Sequence, residues 1–144
     1  EATGSDEIMM ALDNGAKRIG HGVHLSLDDE TISRVIKSDV CFEFCPTSNL
    51  QTKSLKTYQE VPLCQFMSQG IPVTINSDNM TVSHTDAIKE MKIMVKTFNL
   101  TREEVYQLLL NSVKYAFIPR YQKHRLLKRM NKNFDNYYKI IISE

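Results

Sequence analysis

No apolar stretch in these 144 residues approaches the roughly 20 needed to cross a bilayer as a helix, and no charged-then-apolar leader opens the chain. A helical membrane span is excluded, and a cytoplasmic location is expected. Cysteine is scarce: Cys41, Cys45 and Cys64 form an odd set with no Cys-x-x-Cys pair and no zinc-finger spacing. Two of them lie in or beside an apolar run, where a thiol behaves as a small hydrophobe, so a reducing compartment is expected. An excess of either charge is missing too. Eighteen Lys and Arg stand against seventeen Asp and Glu, interspersed, for a net charge of +1. No general basic field therefore points to nucleic acid or to a membrane surface. The locally basic stretch from Arg120 to Lys139 reads as a solvated helix face. Internal repeats and low-complexity linkers are absent. So is an initiating Met: the chain opens on Glu1-Ala2-Thr3-Gly4-Ser5, a polar loop running into a helical pattern, which reads as the interior of a longer protein.

What is present is the composition of a globular domain, 42% hydrophobic and 24% charged, enough for a sizeable core. Helical and strand patterns alternate. Asp6 to Asp13 carries Ile8 and Leu12 four apart, behind acidic residues in a first turn. The run Ala16 to Gly20 reads as a strand ending at His21. Ser26 and Asp29 read as a capping box before a stripe of Ile32, Val35 and Ile36. A second strand, Val40 to Phe44, follows, then a polar loop from Thr47 to Tyr58. Pro62 and Gly70 bracket a helix with Leu63, Phe66 and Met67 on one face, and Ile71 to Ile75 is a third strand. Beyond it lie a helix from Thr85 to Phe98 with Ile88, Met91, Met94 and Val95, and a second capping box, Thr101 to Glu104, before Val105, Leu108, Leu109 and Val113. A last amphipathic segment holds Leu126, Leu127 and Met130; Tyr137 to Ile142 fits a strand or a helix equally well.

Strands alternating with helices imply parallel pairing through right-handed crossovers, an α/β architecture. Three strands are too few for a parallel sheet that needs both faces covered, so the chain reads as part of a larger sheet or barrel whose remainder lies upstream. In such folds chemistry sits at the C-terminal ends of strands, where a side chain leaves the packed interior yet stays rigidly held. Three strand ends qualify: His21-Gly22, Cys45-Pro46-Thr47-Ser48-Asn49, and Asn76-Ser77-Asp78-Asn79. Asp78 is a hard oxygen donor suited to zinc beside imidazoles; equally, an Asp after a strand can cap a helix or make a turn. His21 stands between glycines, which permit unusual backbone angles and close approach, although a structural histidine fits as well. His24, His84 and His124 have no comparable setting and read as surface or packing residues.

Together these residues resemble the C-terminal half of the adenosine deaminase family, within the metal-dependent amidohydrolase barrels. Gly20-His21-Gly22 resembles the end of that family's sixth strand. Glu43 with Cys45 and Ser48-Asn49 resembles its seventh, and Asn76-Ser77-Asp78 its eighth, where the family pattern continues Asp-Pro and this chain has Asn79-Met80. Glu1-Ala2-Thr3-Gly4 has the form of the segment after the fifth strand. The resemblance implies that residues 1–144 are the C-terminal portion of one (β/α)8 barrel domain with additional C-terminal helices, partnered by the barrel's N-terminal half. It implies zinc-dependent hydrolytic deamination of adenosine or deoxyadenosine to inosine and ammonia. Glu1 would protonate N1 of the purine and His21 would orient the attacking water and stabilise charge. Asp78 would bind zinc, and Asn79 would contact N7. The family has Asp at that last position; N7 only accepts hydrogen bonds, and an amide nitrogen donates at any pH, so the substitution preserves the contact. The family's other zinc ligands, three histidines, have no counterpart here, and a single carboxylate cannot fill a four-coordinate shell, so the isolated 144 residues are expected to be inactive. The Pro-Cys-x-x-Cys of cytidine-deaminase-type zinc sites is not matched, since Cys45 precedes Pro46 and no second cysteine follows. Two other readings stay open: a deaminase of adenine or another aminopurine on the same scaffold, and a non-catalytic α/β module in which His21 and Asp78 are structural.

Overall fold

A computed structural model describes residues 4–143. Three parallel strands, β1 (Arg18–Gly20), β2 (Cys41–Phe44) and β3 (Val73–Ile75), lie side by side in chain order. Arg18 is opposite Cys41, and Phe42 is opposite Val73. Each pair of strands is joined through helices: α1 (Ser5–Asp13) precedes β1, α2 (Asp29–Ser38) links β1 to β2, and α3 (Pro46–Gln51), a 3-10 turn (Tyr58–Glu60) and α4 (Leu63–Ser68) link β2 to β3. Then come α5 (Met80–Ser83), α6 (Ala87–Phe98), α7 (Arg102–Lys114) and α8 (Arg120–Ile142). The strands bear out the expected β/α repeat, and their parallel register puts all three C-terminal ends on one side.

The core is built where the apolar runs predicted it. Val40, Phe42, Phe44 and Val73 are fully buried, and Phe66 of α4 packs edge-on against both Phe42 and Phe44 with ring centroids 5.1 Å apart. From the other elements Val35, Leu63, Met94, Val105 and Leu108 join the same cluster. Asn111 of α7 donates to the Val73 carbonyl at 2.9 Å, fastening that helix to β3. Among the described residues β1 and β3 each pair on one side only and form the two edges of this sheet.

Several local expectations change. Ser26 does not cap α2; Asp28 does, its Oδ1 accepting from the Thr31 amide at 2.9 Å while its Oδ2 accepts from the Ser26 hydroxyl at 2.6 Å. A carboxylate is a stronger acceptor than a hydroxyl and satisfies both donors at once, so the helix starts two residues later than a Ser26 cap requires. These bonds, that from Ser26 foremost, hold the Asp28 carboxyl down at about 2. The stretch expected to be loop from Thr47 contains α3, begun by Pro46 in its first turn. The stripe on α6 is rotated: Ile88 is exposed, and Glu90 is fully buried beside Met91 and Met94. Ile36 is likewise exposed. The capping box at Thr101 and Glu104 forms as expected, and the undecided C-terminal stretch is the end of the single 23-residue helix α8, with Phe134 and Ile141 buried.

Candidate active site

His21 follows β1 directly and Asp78 stands three residues beyond the end of β3, with β2 between the two strands. Their side chains meet across it: His21 Nε2 lies 4.0 Å from Asp78 Oδ2. That is too far for a direct hydrogen bond and close enough for one oxygen atom to bond to both. Both residues sit in the left-handed backbone region, His21 at φ 60 and Asp78 at φ 54. Non-glycine residues adopt that conformation at some cost, and the two at this one spot are held there by their surroundings. The His21 amide donates to the Glu43 carbonyl at 2.9 Å, and the Asn76 amide donates to the Phe44 carbonyl at 2.8 Å, so sheet pairing continues to the brink of the site. The imidazole is mostly buried, 19% exposed, and the carboxylate is 41% exposed.

The glycines flanking His21 divide the work expected of them. Gly22 is required twice, by its φ of +67 and because a β-carbon there would lie 2.5 Å from Cδ1 of Phe42. Gly20 has neither constraint. What approaches closely is thus the Phe42 ring beneath the site rather than a group beside the imidazole.

Gly20, His21, Glu43, Cys45, Asn76, Ser77, Asp78 and Ala87 line one depression of about 430 Å³ at the strand mouths. Glu43 is paired with Arg18, whose guanidinium also lies over the Phe117 ring. A larger depression, about 520 Å³, lies between α7 and α8 around Tyr106, Asn131 and Phe134. It contains no strand end, and its charged wall pair, Arg102 and Asp135, bond to each other, so the strand-mouth depression is the candidate site.

Asn79 stands beside Asp78 as the cap of α5: its Oδ1 accepts from the amides of Thr81 at 3.1 Å and Val82 at 3.0 Å. Those two donors fix which end of the amide is oxygen and leave Nδ2 as its donor end. Glu1 lies outside the described residues. His24, His84 and His124 are exposed, as expected. Ser48, to which no role was given, donates from Oγ to Asp78 Oδ2 at 2.7 Å. Its signal was Pro46, which begins a helix and thereby places Ser48 in the first turn facing the strand ends.

In kind, the donors suit zinc: a carboxylate oxygen beside an imidazole. In number they do not complete a shell, since among the described residues no group of three or more His, Cys, Asp and Glu side chains converges. No helix among those residues is long and apolar enough to cross a membrane.

Comparison with known proteins places this geometry in context. A family model described as adenosine deaminase matches residues 1–133. The chain is 37% identical over 134 residues to an adenosine deaminase of Haemophilus ducreyi, spanning 93% of this chain and 39% of that protein. To an adenosine deaminase of Vibrio atlanticus it is 41% identical over 112 residues, 78% of this chain and 34% of the relative. The chain therefore spans well under half the length of the curated relatives it matches. Among solved structures, adenine deaminase from Arthrobacter aurescens superimposes with a TM-score of 0.85 at 24% identity, over 92% of this chain and 41% of that one. An amidohydrolase from Burkholderia ambifaria with bound zinc gives 0.83 at 18% identity, over 99% and 40%. At such identities the likeness shows the fold: the three β/α units match the C-terminal part of TIM-barrel deaminases and amidohydrolases.

Proposed function

The chain belongs to the adenosine deaminase family, and from that premise we propose that residues 1–144 are the C-terminal portion of a single barrel domain whose complete protein hydrolyses adenosine or deoxyadenosine to inosine and ammonia. The observation that carries the reading is the 4.0 Å approach of His21 Nε2 to Asp78 Oδ2 at the mouths of two strands separated by a third. Water adds its oxygen to C6 of the purine, one of its protons ends on N1 and the other on the exocyclic nitrogen, and the bond from C6 to that nitrogen breaks as ammonia leaves and C6 becomes a carbonyl. Zinc, when bound, would supply a water nucleophile active at neutral pH by lowering its pKa from 15.7 to roughly 7.

The chain's own residues do the rest. Asp78 gives the metal a carboxylate oxygen. His21, fixed by its backbone bond to Glu43, holds the attacking water by Nε2 and stabilises charge as it develops at C6. Asn79, with its oxygen occupied by the α5 cap, directs Nδ2 to N7. Glu1 protonates N1. The remaining metal ligands and the ribose contacts belong to the upstream half of the barrel, the partner this portion requires. An odd set of three cysteines, two of them buried as small hydrophobes, supports a cytoplasmic setting.

Asn79 admits one variation on this reading. Where the family carries Asp the chain carries a neutral amide, which suits adenine or another aminopurine as well as adenosine. The purified full-length protein, loaded with zinc, separates the cases by ammonia release from adenosine, deoxyadenosine and adenine. Faster turnover of the nucleosides supports the proposal, faster turnover of adenine supports the variation, and release from none of them refutes both.

A further inference from the structure

Asp78 is a half-exposed side chain on a strained backbone, and a carboxylate so placed is free to turn unless something holds it. What holds it is Ser48: the 2.7 Å bond to Oδ2 is the one protein hydrogen bond to this carboxylate among the described residues, and Oδ1 is left open. The serine is itself buried, 7% exposed. It stands in α3, six residues long and far too short to persist on its own.

The helix is anchored from behind by Glu90 of α6. That residue is fully buried, its Oε2 accepting from the Thr47 amide at 3.0 Å and its Oε1 from the Thr85 hydroxyl at 2.6 Å. The Thr47 hydroxyl also lies 3.2 Å from the Tyr58 hydroxyl. A buried carboxylate with both oxygens engaged is a rigid post. Glu90 fixes Thr47, the next residue along the helix is Ser48, and Ser48 fixes Asp78.

Resting on the reading of Asp78 as a metal ligand, we infer that Ser48 is a positioning residue for the metal-binding carboxylate: its hydroxyl immobilises Asp78 through Oδ2 and leaves Oδ1 for the metal. Partners of this kind orient ligands, and their loss typically lowers metal affinity or turnover by about 10- to 100-fold.

The test uses the full-length zinc-loaded protein and compares the parent with Ser48→Ala, Ser48→Thr, Asp78→Ala and the Ser48→Ala/Asp78→Ala double variant. Three quantities are read: zinc affinity by competition with a chelator, kcat and KM on adenosine, and the urea midpoint of the metal-free protein. Ser48→Ala should lose about 10- to 100-fold in zinc affinity or kcat, with KM and the metal-free midpoint near the parent's. Ser48→Thr, which keeps the hydroxyl, should recover most of the loss. Adding Ser48→Ala to Asp78→Ala should change zinc affinity no further, which tests the coupling even if the threonine variant fails to fold. A Ser48→Ala protein that keeps the parent's zinc affinity and kcat, while Asp78→Ala loses both, overturns the role of Ser48 and leaves the deaminase reading standing. So does a loss in Ser48→Ala matched by a fallen metal-free midpoint and present equally in the Asp78→Ala background. A parent that holds no zinc, or an Asp78→Ala variant that holds it as tightly as the parent, removes both.

Discussion

Replacing Gly22 with alanine asks the backbone beside His21 for two things it cannot supply. At φ +67 an alanine adopts the left-handed region at about 1–2 kcal/mol. Its β-carbon would also lie 2.5 and 2.8 Å from two atoms of the Phe42 ring and 3.1 Å from Cγ2 of Ile19. Phe42 is fully buried, wedged against Phe66 and central in the sheet, so the ring cannot step aside without disturbing the core. Overpacking of this kind typically costs about 1–3 kcal/mol. The two contributions give about 2–5 kcal/mol, a large part of the roughly 5–15 kcal/mol by which a typical domain is stable. With a slope of roughly 3 kcal/mol per molar urea, the unfolding midpoint of the full-length protein should fall by about 0.7–1.7 M. Gly20→Ala is the matched control, with ordinary backbone and no atom within 4 Å of its new β-carbon; its midpoint should stay near the parent's. If Gly22→Ala unfolds at the parent's urea concentration, or if both variants fall alike, the close packing argued beneath the site is wrong.

Other expectations concern single groups. Asn79→Asp keeps an acceptor for the α5 cap but can donate to N7 only while its carboxyl is protonated, so kcat/KM on adenosine should fall as pH rises through that group's pKa, in a range where the parent is unaffected; if Asn79→Ala discriminates against the analogue with carbon in place of N7 as strongly as the parent does, that contact does not exist. Asp28 has its folded pKa depressed from 3.8 to about 2, so its stabilising effect is fully present above about 4 and is lost as pH falls through about 2. The gap in urea midpoint between parent and Asp28→Ala should accordingly be constant from neutral pH to about 4 and close between there and 2; a gap that widens on acidification contradicts the sign. Burial pushes the Cys41 thiol up to about 11, and the residue is inaccessible, so at neutral pH a thiol-alkylating reagent should modify exposed Cys64 first and Cys41 only after unfolding, as read by mass spectrometry of the labelled peptides.

What could be read from the sequence followed from what each signal depends on. The strands, α1, α4 and α7 announce themselves through local patterns: apolar runs ended by polar residues, Ile8 with Leu12, Pro62 with Gly70, Thr101 with Glu104. Helix α3 offers only Pro46 as a local signal, with no apolar stripe behind it. Its residues Pro46-Thr47-Ser48-Asn49 look like loop, and the helix exists because Glu90, 43 positions after Thr47, receives the Thr47 amide. The buried place of Glu90 is equally illegible locally, because a carboxylate goes inside only where donors such as Thr47 and Thr85 already wait. For Tyr137 to Ile142 periodicity does not separate strand from helix, and packing of Phe134 and Ile141 decides for helix. At the site, His21, Asp78 and Asn79 were visible as strand-end residues. The distance between the first two was not, since it depends on the register of a strand between them. Nor was the way Asn79 divides its amide between cap and free donor.

The central claim is that Asp78 holds a catalytic metal that His21 serves without binding. Zinc stoichiometry, measured on the full-length protein and on its Asp78→Ala and His21→Ala variants after identical purification and dialysis, tests it most directly. One zinc per chain in the parent, near that in His21→Ala, and little in Asp78→Ala is the result the account predicts. Zinc retained in Asp78→Ala and lost from His21→Ala would contradict it.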